Sequence, residues 1–132
     1  MRIKISMAVL VAVACLSLVE SQTRTPRSIF GLYAPPAGRD SIRVTRRRDG
    51  KIGVALKLYY ANGHTCQIDK AGEWHGGRVL VIADGIDPNQ PCKLEASFTN
   101  GHILLKDDGL RCAPVYCGTR GKLDGVSLPK KH

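Results

Sequence analysis

The stretch Leu94-Glu95-Ala96-Ser97-Phe98-Thr99-Asn100-Gly101-His102-Ile103-Leu104-Leu105 leaves the chain little choice of fold. Leu94, Ala96 and Phe98 stand at every second position, and Ile103 and Leu105 resume the alternation after Asn100-Gly101. Period two marks a strand with one buried face. Asn-Gly is the strongest two-residue hairpin signal, because the matching turn needs positive φ at both central residues. The tight register sets Phe98 opposite Ile103 and Ala96 opposite Leu105. On the other face it sets Glu95 opposite Lys106, which predicts a cross-strand ion pair.

A second hairpin is predicted upstream. Ile42 and Val44 alternate within Ser41 to Arg47, and Ile52, Val54, Leu56 and Leu58 alternate within Lys51 to Tyr60. A two-residue turn at Asp49-Gly50 would put Ile52, Val54 and Leu56 on the face of Arg43 and Arg47, since one residue of slip turns every side chain over. A three-residue loop, Arg48-Asp49-Gly50, instead pairs Val44 with Val54 and Ile42 with Leu56, with Gly50 left-handed in a type I turn plus bulge. Between the two hairpins, Thr65 to Trp74 and Arg78 to Ala83 flank Gly76-Gly77. The continuous run Val79-Leu80-Val81-Ile82 predicts a strand buried on both faces. Leu123, Val126 and Leu128 around Asp124-Gly125 predict a last short hairpin. Turns recur about every ten residues and no stretch sustains a helical period, the pattern of an all-β domain, a small antiparallel barrel or sandwich. Residues 22–40, with Pro26, Pro35, Pro36 and Gly38, read as an extended lead-in. Within it Ile29, Phe30, Leu32 and Tyr33 form an apolar patch that can staple it to the domain spanning 41–132.

The cysteines supply the second constraint. Arg2 and Lys4 precede an uncharged stretch from Met7 to Leu16, and Val19 and Ser21 stand at the −3 and −1 spacing of signal-peptidase cleavage. Cleavage after Ser21 makes 1–21 a signal peptide, discards Cys15, and leaves Cys66, Cys92, Cys112 and Cys117. Lipidation at Cys15 is the alternative for this leader. An even count in a small exported chain predicts two disulfides. The tight hairpin puts Cys92 opposite Gly109, so Cys92–Cys112 would close its open end and leave Cys66–Cys117 to tie the last segment to the middle strand. Cys112–Cys117 is the competing pair, since Pro114 permits the bend. Zinc on His64, Cys66, Cys112 and Cys117 has the right atom types but lacks the paired spacing of structural zinc sites. No metal and no cofactor is therefore expected, and the protein is expected to be secreted or periplasmic.

Charge points to a class of partner. Removing the leader takes the formal net charge from +9 to +8. Such an excess favours anionic partners. Arg46, Arg47, Arg48 and Lys51 crowd the tip of the first hairpin, and the bulged register sets Arg47 opposite Lys51. Like charges directly opposite each other cost stability, so these four are the candidate anion-binding residues. Few aromatics interleave with them, and base-stacking recognition of nucleic acid is poorly supported.

No metalloprotease, P-loop or serine-hydrolase string occurs. The best enzymatic alternative is a small secreted ribonuclease. Glu73, His75 and Arg78 surround Gly76-Gly77 and His102 lies on another hairpin, so a general base, a general acid and a cation for phosphate are available. The favoured reading is non-enzymatic, with no catalytic residues assigned.

Two segments add a resemblance. Asn62-Gly63-His64-Thr65-Cys66 and Tyr116-Cys117-Gly118-Thr119-Arg120-Gly121-Lys122-Leu123-Asp124-Gly125 resemble parts of small exported bacterial proteins, similar to the C-terminal modules of lysozyme-inhibitor-like periplasmic proteins. The resemblance runs from about Tyr59 to Leu128. It implies a disulfide-tied β scaffold, turns of positive φ at Gly118, Gly121 and Gly125, and an inhibitor-like binding role. The expected protein is thus a secreted or periplasmic binding protein with a basic surface for an anionic envelope polymer or an acidic protein.

Overall fold

The computed structural model describes residues 24–118 and 120–132. The expected leader at 1–21 and Cys15 lie outside the described residues. Eight antiparallel strands follow one another in chain order and form one nearly closed barrel. They are β1 (Gly31–Tyr33), β2 (Ser41–Arg46), β3 (Ile52–Tyr59), β4 (Thr65–His75), β5 (Arg78–Ala83), β6 (Cys92–Thr99), β7 (His102–Asp107) and β8 (Ser127–Pro129). The wall closes where Tyr33 bridges Lys130, with Ala34 N donating to Pro129 O at 2.9 Å and Lys131 N to Leu32 O at 2.8 Å. This seam covers the edges of β1 and β8, through which an open sheet would recruit another chain.

Both hairpin registers are as the alternation requires. Val44 pairs with Val54 and Ile42 with Leu56, and Gly50 takes φ 83°. Phe98 pairs with Ile103 and Ala96 with Leu105, while Asn100 and Gly101 take φ of 51° and 73°. Inward-facing Ile42, Val44, Val54, Leu56, Leu58, Ile68, Val79, Val81, Leu94, Ile103 and Leu105 are all buried. An eight-stranded barrel is just wide enough for side chains to fill, so this interior is core and a partner must bind outside it.

The strand Gly31–Tyr33 lies within the predicted lead-in, at its apolar patch. Tyr33 is 2% exposed, and its hydroxyl donates to Ile29 O at 2.8 Å. Three other expectations need correction. Ile82 is 58% exposed, so β5 is not buried on both faces; its outer side faces solvent like that of every barrel strand. Glu95 sits opposite Lys106 as expected, but its carboxylate takes Arg78 Nη1 from the other neighbouring strand at 3.0 Å. Asp124-Gly125 makes a turn but not a hairpin, because β8 pairs with β7, and the turn docks on Leu105 through Gly125 N to Leu105 O at 2.9 Å.

The long connection from β7 to β8 packs across one end of the barrel and carries a four-residue helix, α1 (Ala113–Tyr116). Cys66–Cys117 ties it to β4 and Cys92–Cys112 ties it to β6. With all four sulfurs so paired, the thiolates of the zinc alternative do not exist. Gly118 and Gly125 have positive φ, 69° and 79°. Gly121 does not share that reason. A Cβ there would fall 2.7 Å from Cys66 Sγ and closer still to Cys117 Cβ, so glycine is needed for close approach to the disulfide.

Asp107 holds the start of this connection. It is 3% exposed, and its two carboxylate oxygens accept from Cys112 N at 2.9 Å and Ala113 N at 3.0 Å. Those amides open α1, where backbone donors have no partner within the helix. Asp124 in turn accepts from Asp107 N at 3.0 Å.

Candidate anion-binding face

The basic surplus is not spread evenly. Residues 39–70 hold eight lysines and arginines against three aspartates, a surplus of five. Residues 71–132 hold eight basic against seven acidic residues, a surplus of one. The fold turns this split into a surface, because 39–70 build β2, β3 and most of β4, which are neighbours in the wall.

Register dictates what this wall shows to solvent. Ser41, Arg43 and Thr45 point outward from β2, beside Lys57, Ala55 and Gly53 of β3. Those three lie beside Gln67, Asp69 and Ala71 of β4. Small residues in the middle leave room between long cationic neighbours. One shallow cavity of about 200 Å³ opens over Ala55, lined by Ser41, Arg43, Lys57, Gln67 and Asp69. A second, of about 210 Å³, opens over Ala71 and is lined by Lys51, Glu73, His75, Leu80 and Ile82.

The four predicted anion-binding residues divide here. Lys51 lines the second cavity. Arg48 is exposed at the turn. Arg46 instead lays its guanidinium over the Phe30 ring, 4.8 Å from the centroid. Arg47 does stand opposite Lys51, its N–H donating to Lys51 O at 3.0 Å. The turn itself supplies the counter-charge for that pair: Asp49 Oδ2 lies 3.3 Å from Arg47 Nη2, while Asp49 Oδ1 accepts from Lys51 N at 3.0 Å. The like-charge pairing is therefore relieved within the hairpin. Among the described residues no carboxylate lies within ion-pair distance of Arg43, Arg48, Lys51 or Lys57. Lys57 Nζ sits 5.5 Å from the Tyr59 ring and Arg39 Cζ lies 4.3 Å from it.

Arg43 and Lys57 were missed in the sequence because they stand alone rather than in a run. Their signal was parity: Gly53, Ala55, Lys57 and Tyr59 occupy the outward positions of β3, and the first two have almost no side chain.

The residues considered for ribonuclease chemistry converge only in part. Glu73 Oε2 and His75 Nε2 lie 3.2 Å apart, both exposed, in the cavity that Lys51 also lines. Arg78 is engaged by Glu95. His102 directs Nδ1 at Asn100 O, 3.1 Å away. It sits on β7, three strand spacings from β4, or about 14 Å.

At the opposite end of the barrel, Ile86 and Leu110 are 76% and 61% exposed and line one cavity with Pro114. Leu110 also holds φ 55°, a left-handed conformation that is costly for a residue with a Cβ. No periodicity marks this pair in the sequence.

Compared with family models, with curated proteins and with solved structures, the chain finds no match in any of the three. Among the described residues no helix is long and apolar enough to cross a membrane. Two disulfides are compatible with an extracellular or periplasmic protein.

Proposed function

We propose that this is an exported, non-enzymatic binding protein whose basic β2–β4 face takes an anionic envelope polymer or acidic protein. The observation that carries the reading is the positive surplus of this wall, five over residues 39–70 and four once Glu73 at the end of β4 is counted, with Arg43, Arg48, Lys51 and Lys57 lacking carboxylate partners among the described residues. Clustered unpaired cations raise the local concentration of anions and speed their encounter. An inhibitor-like role, as the resemblance implies, is one form of such binding. It requires a target with an acidic patch, since charge complementarity governs encounter.

The test compares two triple variants of equal charge. Arg43→Ser/Arg48→Ser/Lys51→Ser alters the proposed face, and Lys93→Ser/Lys106→Ser/Arg111→Ser alters β6, β7 and the connection that follows them. Lys130 is avoided because its Nζ donates to Ser28 O at 2.7 Å. The first variant is expected to elute from a heparin column at markedly lower salt than the second. Equal elution would reduce the effect to bulk charge and defeat the reading.

The Glu73–His75 contact beside Lys51 favours ribonuclease as the second reading. Against it, an acid and a base in contact with each other cannot stand on opposite sides of a reacting phosphorus, as proton transfer to a leaving group and from a nucleophile requires. RNA cleavage by the pure protein that disappears in His75→Ala would reverse this preference.

A further inference from the structure

The two cavities of the basic wall carry a chemistry more specific than positive charge. They lie end to end, since the pair Ala55–Asp69 in one is followed along the same two strands by Gly53–Ala71 at the other. From Lys57 to Lys51 the face runs six residues along the hairpin, about 20 Å of strand. Both cavities combine a cation with groups that a bare polyanion has no use for. The first sets Arg43 and Lys57 beside Ser41, Gln67 and the carboxylate of Asp69. The second sets Lys51 beside Glu73 and His75, with Leu80 and the exposed Ile82 as an apolar wall.

We propose that this face binds a linear acidic polysaccharide, a chain of sugar units bearing carboxylate or sulfate groups. The inference rests on the anion-binding reading above and names the class of polymer. Sugar carboxylates or sulfates meet Arg43, Lys57 and Lys51 through charge-assisted hydrogen bonds. Sugar hydroxyls donate to Asp69, Glu73 and Gln67, and the C–H face of a ring packs on Leu80 and Ile82. Polyphosphate offers neither hydroxyls nor an apolar face, so the repulsion it meets at Asp69 and Glu73 is offset by no hydrogen bond to them. Single-stranded nucleic acid binds through aromatic platforms. The aromatic ring at the margin of this face, Tyr59, is engaged by Arg39 and Lys57.

Binding is measured by calorimetry with three probes of matched charge: an oligogalacturonate, an inorganic polyphosphate and oligodeoxythymidylate. The wild type is expected to bind oligogalacturonate most tightly. Ala55→Leu fills the first cavity without changing charge, and Ile82→Ser removes the apolar wall at an exposed position. Each is expected to weaken oligogalacturonate about tenfold, the scale of one good contact, and to leave polyphosphate binding unchanged. If polyphosphate or oligodeoxythymidylate binds as tightly as oligogalacturonate, or if Ile82→Ser leaves oligogalacturonate affinity unchanged, the polysaccharide inference fails while the anion-binding reading stands. If none of the three probes binds and the two triple variants elute alike from heparin, both fail.

Discussion

Replacing Asp107 tests how the barrel end is held. Its carboxylate is the one buried charged group among the described residues, and two backbone amides converge on it at 2.9 and 3.0 Å. Asp107→Ala removes both acceptors and strands the Cys112 and Ala113 N–H groups. An orphaned buried donor costs about 1–3 kcal/mol, and Ala113 N is only part-buried, so the loss is about 2–5 kcal/mol, a large share of a domain stability of roughly 5–15 kcal/mol. At about 4 °C or more per kcal/mol for a domain of this size, the melting temperature should fall by roughly 10–20 °C. Asp107→Asn keeps the shape and one acceptor but turns an amide N–H₂ toward a donor, and it should cost less than the alanine variant. Asp108→Asn, at the exposed neighbouring position, should stay within about 0.5 kcal/mol of wild type. The assay is thermal and urea unfolding at neutral pH with disulfides intact, together with hydrogen exchange at the Cys112 and Ala113 amides. An alanine variant as stable as Asp108→Asn, or one whose two amides keep full protection, would refute the reasoning.

Gly121→Ala should destabilise the protein by more than 1 kcal/mol in a melt, because its Cβ must displace the Cys66–Cys117 bridge that passes 2.7 Å away. Removing Cys66–Cys117, which spans 51 residues, should cost about 4 kcal/mol, and removing Cys92–Cys112, which spans 20, about 3 kcal/mol; chemical denaturation of the paired serine variants orders the two. Burial raises the Tyr33 and Tyr60 phenols above their ordinary value. Their contribution to stability is therefore complete below pH about 10 and is lost as pH climbs through the raised folded values. Absorbance titration should show Tyr33 and Tyr60 ionising late, and Tyr33→Phe should remove one of these late steps while costing about 1 kcal/mol for the lost bond to Ile29 O.

What the chain reveals about itself divides along local and non-local lines. The two hairpins were legible to the residue because turn chemistry and alternation act within a dozen positions. The Arg48-Asp49-Gly50 loop was recoverable for the same reason: the tight turn would have turned Val54 and Leu56 to the face of Arg43. One of these registers favoured the observed disulfide pairing, since placing Gly109 opposite Cys92 brings Cys112 within reach, while the competing Cys112–Cys117 stayed open until the structure paired the sulfurs. The strand Gly31–Tyr33 was hidden because its partners are β2 and, across the closing seam, a segment about a hundred residues later. The run Val79 to Ile82 misled because continuous apolarity does not say which face meets water. Glu95 had two cationic neighbours, and only the third strand decided between them. The basic wall itself was half visible. The arginine run drew attention to the tip, whereas the cavities, one beside Arg43 and Lys57 and one beside Lys51, exist only because Ala55 and Ala71 come to lie among long side chains of neighbouring strands.

The proposed function depends on where an anionic polymer touches the barrel. Amide chemical shifts of the labelled protein, followed while an oligogalacturonate is added at near-physiological salt, locate that contact directly. Perturbations are expected along Ser41 to Arg43, Lys51 to Lys57 and Gln67 to His75, with Lys93, Lys106 and Lys131 undisturbed. Shifts distributed equally over all the lysines and arginines, or confined to the end bearing Ile86 and Leu110, would contradict it.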